Sequence, residues 1–299
     1  MGSHDVIPVL LDTDIGTNVD DALALTYLLR QPRCELAGIT TVTGDVNKRA
    51  ACAEVVCRAA GRPDVLIHCG CSDPLPPGPG QPGVPLYDAI RDYAHRLDRP
   101  AHTAIDFLRQ SIRARPGEIT LLTIGPLTNV AILFALDPEI PSLVAGMVSM
   151  AGVYFPHPRA VETNCRVDPI AAAVVFAARV PRHVCVGLDV TSRCALPADE
   201  GLRKIEAFRI APLTAMAAHW AAGRSAIAFH DPLAAAVVFH PRLCRHAGGR
   251  VHVALDAAGQ PPGRTTFSPA TAGPGPTHRI ATDVDVAAFF AEFFSTLGK

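Results

Sequence analysis

No stretch of this chain approaches the roughly 20 consecutive apolar residues that cross a bilayer. The apolar runs around Ala171–Ala178 and Leu233–Phe239 are far shorter, and no charged-then-apolar leader opens the sequence. Membrane insertion and secretion therefore have no support, and a cytoplasmic protein is expected. Nor is charge of one sign in excess: 27 Lys+Arg stand against 28 Asp+Glu, a formal net charge of -1. This leaves no basic footprint for nucleic acid and no polybasic or polyacidic tail. Paired CxxC spacing is missing too. The nine cysteines, at 34, 52, 57, 69, 71, 165, 185, 194 and 244, form an odd and scattered set, the usage of reduced thiols. His68-Cys69-Gly70-Cys71 is the one cluster with the flavour of a soft-metal site, but a structural zinc site needs four ligands and no matching second pair exists. It reads as ordinary loop thiols.

What is present is a long, apolar chain: 299 residues, 49% hydrophobic, enough to bury a substantial core. Val9-Leu10-Leu11 runs into the polar Asp12–Gly16 segment, and Ala22–Leu29 then reads as a buried helix. The alternation returns with a strand at Leu36–Val42, a helix at Lys48–Ala60, a strand at Ile119–Ile124 and a helix at Leu127–Leu136. Further strands are expected at Leu143–Met150 and Val184–Leu188. Further helices are expected at Pro169–Ala178, Ile210–Trp220, Pro232–Phe239 and Val286–Leu297. Repeated βα units predict an α/β, Rossmann-like single domain, a mostly parallel sheet flanked by helices with its site at the strand carboxyl ends. Two Pro- and Gly-rich segments interrupt it, Pro74–Pro85 and Gly259–Thr277, the second suggesting a hairpin or excursion. Folded patterns resume after each, so we read one domain over residues 5–299 with two long surface loops. Met1–His4, a cloning remnant or a natural start, are set aside.

The strongest chemical signal is Asp12-Thr13-Asp14-Ile15-Gly16-Thr17-Asn18-Val19-Asp20-Asp21, four carboxylates within ten residues after the first strand. Like charges this close are costly unless a cation sits among them, and an all-oxygen set suits a hard one such as Ca²⁺ or Mg²⁺. Alternatively, Asp20 and Asp21 simply favour a helix N-terminus. Phe229-His230-Asp231-Pro232 lies about two hundred residues downstream. It places a histidine beside a carboxylate at a helix start, either acid and ligand or a mere cap. Thr123-Ile124-Gly125-Pro126-Leu127-Thr128-Asn129 turns from strand to helix and offers a backbone carbonyl, or is only a turn. Glu162-Thr163-Asn164-Cys165-Arg166-Val167-Asp168-Pro169 is dense enough in polar groups to hold a sugar, or is a polar loop and helix cap.

In this order and at these separations, the four segments resemble the inosine-uridine-preferring nucleoside N-ribohydrolase family over nearly the whole chain. The resemblance implies calcium-dependent cleavage of ribonucleosides, with Asp14 as general base. Ca²⁺ would be held by Asp14, Asp21, Asp231 and the Ile124 carbonyl, Asp20 would bind the ribose diol, and Asp12 would orient its neighbours. Glu162 and Asn164 match groups on the ribose 5′-hydroxyl side, and His230 matches a residue that protonates a purine leaving group in some members. The chain also departs from the pattern. Asn18 stands where an aspartate is frequent, and Pro156 replaces an asparagine. Asp45 falls at a base-side asparagine, and Pro74–Pro85 replaces a histidine-glycine loop. His219 and Trp220, on the preceding helix, are candidates to face the base or simply pack. A homodimer or homotetramer is implied. Three rival readings remain: a hydrolase of a modified nucleoside, a nucleoside- or ribose-binding protein without catalysis, and a phosphate-processing hydrolase, for which lysine is scarce.

Overall fold

The computed structural model describes residues 6–255, 261–270 and 275–298, so the expectation for Met1–His4 and part of Gly259–Thr277 lies outside it. Eleven strands are described: β1 (Ile7–Thr13), β2 (Cys34–Thr41), β3 (Ile67–Cys69), β4 (Thr120–Thr123), β5 (Gly146–Met150), β6 (His183–Val186), β7 (Ala195–Pro197), β8 (Ala226–Ala228), β9 (Cys244–Val253), β10 (Thr265–Pro269) and β11 (His278–Val284). Nine form one sheet in the order β10-β9-β11-β6-β5-β4-β1-β2-β3, and β7 pairs with β8 apart from it. From β3 to β11 every neighbouring pair is parallel, whereas β9 runs antiparallel to both β11 and β10. The described part of the second Pro/Gly-rich segment thus contributes β10 to a hairpin.

β1 shows why the centre of the sheet is stable. Successive side chains of a strand point to opposite faces, and here both faces are covered. Val9 and Leu11 join one apolar cluster with helices Asp20–Arg30, His230–Phe239 and Val286–Leu297, while Leu10 joins another with helices Ala104–Ala114, Thr128–Leu136 and Pro169–Ala177. A strand buried on both faces needs an uninterrupted apolar run, which Val9-Leu10-Leu11 supplies. Helix Ala104–Ala114, helix Ala198–Glu206 and strand β3 were not expected from the sequence. β3 is only three residues long and carries His68 and Cys69, so the loop reading of that cluster is corrected there: it is the sheet edge.

The topology fixes where a site can form. From β1 the chain moves outward through β2 and β3, then returns to β4 on the other side of β1. The connections above β1 and β4 therefore diverge, and this switch point is where open α/β sheets leave a crevice at the strand carboxyl ends. Among the described residues, no helix is long and apolar enough to cross a membrane.

Candidate active site

The crevice is a cavity of about 90 Å³ whose walls include Asp14, Asp20, Asp21, Ile124, Glu162, Asn164, His230 and Asp231. Four segments far apart in sequence thus meet in one place. Two helices begin at it, Asp20–Arg30 with Asp20 and Asp21 in its first turn and His230–Phe239 with Asp231 in its own, where the helix dipole favours negative charge. These helices pack against one another, which carries Asp231 to Asp20 and Asp21. Carboxylate oxygens of Asp20, Asp21 and Asp231 all lie within 4.8 Å of one another.

All the acids are nearly dry: Asp12, Asp14, Asp20, Asp21, Asp231 and Glu162 are each at most 6% exposed. Burial pushes Asp12 and Asp20 up to about 7. It also raises Asp14, Asp21 and Asp231, with repulsion among the carboxylates adding to the effect at Asp21 and Asp231 and the Arg49 charge opposing it at Asp14 and Asp21. Such a cluster cannot be fully ionised unless a cation enters it. The donors are all oxygen, so the residues present fit a hard divalent cation and not a soft metal.

Each acid is held by a local device. Asp12 Oδ1 accepts from Thr40 Oγ1 at 2.5 Å and from Asn129 Nδ2 at 2.7 Å, while its Oδ2 has no partner. Thr13 Oγ1 donates to Asp21 Oδ1 at 2.5 Å and so links β1 to the helix start. Gly125 allows β4 to come close to Asp14: a Cβ there would stand 2.8 Å from the Asp14 nitrogen. Glu162 caps its short helix, accepting from the N–H groups of Gly152, Asn164 and Cys165. Asn164 Nδ2 donates to the carbonyls of Ile124 at 3.1 Å and Met150 at 3.0 Å. His230 is pushed down to about 4, first by burial and then by the Arg159 and His157 charges, and its Nδ1 lies 2.8 Å from Thr191 Oγ1.

Three expected base-side residues are not in the cavity wall. Asp45 instead accepts from the Lys48 N–H at 3.0 Å as the cap of helix Val46–Ala59 and pairs with the Lys48 ammonium. His219 is exposed, and Trp220 packs on the core with the Arg224 guanidinium 3.8 Å above its ring. Asp168 also proves to be a cap, accepting from Ala171 N–H, Thr128 Oγ1 and Leu75 N–H.

Other residues were missed. Arg49 is fully buried. It donates to the carbonyls of Thr43 (2.6 Å), Asp14, Ile15 (3.3 Å), Gln81 (2.9 Å) and Gly83 (3.3 Å), and to Thr17 Oγ1 (2.9 Å). One guanidinium therefore ties the Asp14 loop, the end of β2 and the Pro74–Pro85 segment together. Gln81 enters from that segment and donates to Asp14 Oδ2 at 2.8 Å and Thr17 Oγ1 at 2.8 Å. An arginine amid Ala50-Ala51-Cys52-Ala53 on an apolar helix was the available signal for Arg49. Nothing in a Pro/Gly-rich run singles out Gln81.

The chain matches a family model described as inosine-uridine preferring nucleoside hydrolase over residues 9–291. It is 30% identical over 280 residues to uridine nucleosidase 1 of Arabidopsis thaliana, covering 85% of this chain and 79% of that one. It is 33% identical over 256 residues to the non-specific ribonucleoside hydrolase RihC of Escherichia coli, covering 79% and 80%. Among solved structures, a purine-preferring ribonucleoside hydrolase from Gardnerella vaginalis superposes with a TM-score of 0.82 at 27% identity, covering 97% of this chain and 98% of the other. With the buried acidic crevice at the β1/β4 switch point, these matches show that the chain belongs to the inosine-uridine preferring nucleoside hydrolase family.

Proposed function

We propose that this chain hydrolyses the N-glycosidic bond of ribonucleosides to free base and ribose, with Ca²⁺ as its cofactor. The observation that carries the reading is the convergence of Asp20, Asp21 and Asp231, from opposite ends of the chain, in one buried all-oxygen cluster. Asp14, Asp21, Asp231 and the Ile124 carbonyl are the groups that would hold the ion, with Asp20 beside them for the ribose diol. When bound, the ion supplies Lewis-acid polarisation and a common point of attachment for sugar and water.

The remaining chemistry belongs to the side chains. Asp14 accepts the proton of the attacking water as the new C1′–O bond forms and the C1′–N bond breaks. The surrounding carboxylates favour the positive charge that develops at C1′. Asn164, whose amide is fixed by two carbonyls, keeps its Oδ1 for a sugar hydroxyl, and Glu162 is locked beside it. The base leaves with the electron pair of the C1′–N bond and takes up a proton from solvent water, and His230, with its proton affinity lowered to about 4 and so neutral at pH 7, assists its departure through a hydrogen bond. We extend the proposal to a cytoplasmic homodimer or homotetramer built from one domain over residues 5–299. A reducing-sugar assay over purine, pyrimidine and modified ribonucleosides tests it. Release of ribose and free base from at least one is the expected result, and binding without cleavage across the panel would overturn it.

A further inference from the structure

Beside the acidic crevice opens a second cavity of about 410 Å³ with the opposite chemistry. No Asp or Glu lines it; its walls carry His157, Arg159 and Arg264, the Thr266 hydroxyl, and the rings of Phe155 and Phe267. Arg159 belongs to both cavities. Its position is built by the loop itself, since the Arg159 N–H donates to His157 Nδ1 at 3.1 Å while His157 Nε2 lies 3.2 Å from Ser192 Oγ. The Arg159 side chain is nevertheless uncommitted. Among the described residues it has no carboxylate within 4.0 Å, although Asp14, Asp20, Asp21, Asp231 and Glu162 share a cavity with it. The side chain is exposed and so open to a ligand from solvent.

We propose that the substrate is an anionic ribonucleoside, its sugar in the acidic crevice and its phosphate or carboxylate against Arg159 in the cationic cavity. The inference rests on the ribonucleoside hydrolysis proposed above and names the substrate class of that site. A planar guanidinium recognises phosphate or carboxylate through paired hydrogen bonds. The crevice alone, at about 90 Å³, is far smaller than the cavity it adjoins. One molecule with a hydroxylated sugar and an anion matches both halves of the field. A neutral ribonucleoside matches only the first.

The test compares kcat/KM of the calcium-loaded chain for uridine, uridine 5′-monophosphate and 6-carboxyuridine, which place no anion, an anion on the sugar and an anion on the base. The expected result is a preference over uridine for one of the two anionic substrates. In Arg159→Ala the anionic-to-neutral kcat/KM ratio should fall by roughly 10- to 100-fold, as expected for losing a charge-assisted contact, and Arg159→Glu should depress it further. In parallel, ribose 5-phosphate or 6-carboxyuracil, whichever carries the preferred anion, should inhibit the wild type more strongly than ribose or uracil. Uridine cleaved at least as well as both anionic substrates, or a ratio unmoved by Arg159→Ala, would overturn the inference while leaving the hydrolase reading intact. Failure of the wild type to cleave any of the three and the wider nucleoside panel would overturn both.

Discussion

Replacing Arg49 with methionine keeps the apolar stem and removes the guanidinium on which three loops hang. Of its three buried acceptors, the carbonyls of Thr43 and Asp14 are held closely and that of Ile15 more loosely at 3.3 Å, and the first two lose their main donor in a place water does not reach. An orphaned buried acceptor costs about 1–3 kcal/mol, so these two together set a loss of roughly 2–6 kcal/mol. The Gln81 and Gly83 carbonyls are partly exposed and can turn to water, adding little. The sum is a large share of the roughly 5–15 kcal/mol that holds a domain folded. Arg49 is also the cation that opposes protonation of Asp14 and Asp21, so its loss strengthens the need for a metal. Urea unfolding with a chelator and with saturating calcium reads both effects. Arg49→Met should lose about 3–5 kcal/mol with chelator, and calcium should restore more stability to it than to the wild type. Arg49→Lys, with the charge but not the fork, should fall between. A methionine variant within about 0.5 kcal/mol of wild type, with unchanged kcat/KM, would refute the assigned role.

Other predictions follow from the same geometry. Asp14→Ala should lower kcat by about 10²–10⁴-fold, the usual contribution of a general base, with unchanged far-ultraviolet circular dichroism; near-normal turnover would remove Asp14 from its role. Phe229 packs on Phe289, Phe290, Phe293 and Phe294 immediately before His230. Phe229→Ala should therefore cost about 3–5 kcal/mol in urea unfolding and weaken calcium binding in calorimetry, because Asp231 loses its anchor. The buried pair His183 and His278 joins Ser149 to the Phe176 carbonyl through one chain of hydrogen bonds, and burial lowers the proton affinity of both rings. The unfolded chain then takes up protons that the folded chain refuses. Stability is complete above the ordinary histidine range and falls as pH drops below about 6.5, by about 1.4 kcal/mol per pH unit for each histidine. Acid-dependent melting of wild type and His183→Gln checks this; equal slopes would contradict it.

Much of the scaffold was legible because its signals are local. The run Val9-Leu10-Leu11 and the helix Val286–Leu297 fell where the apolar pattern placed them, and the aspartate-rich segment after the first strand lay at the switch point. Elements of marginal amphipathic signal or few residues, such as β3 and the β7–β8 pair, are fixed by partners distant in sequence and carry little mark of their own. The site divides in the same way. Asp14, Asp20, Asp21 and Asp231 announce themselves because carboxylates clustered at a strand end and at helix starts demand a reason. Asp45 was singled out by the resemblance alone, and in three dimensions it lies at a helix start outside the cavity wall. Arg49 and Gln81 act through backbone carbonyls and amide contacts, which impose no pattern on neighbouring residues. Arg159, in a loop of Pro156-His157-Pro158-Arg159-Ala160, gains meaning only from the two cavities it joins.

The most direct test of the account follows ribose release from a cleavable nucleoside by protein stripped of divalent metal, while Ca²⁺ is titrated back and bound metal is counted in the same sample. The account predicts no turnover at zero metal and a saturable return that reaches its plateau at one ion per chain, a return that Asp231→Asn shifts to much higher calcium. Undiminished ribose release from protein shown to be free of divalent metal would contradict it.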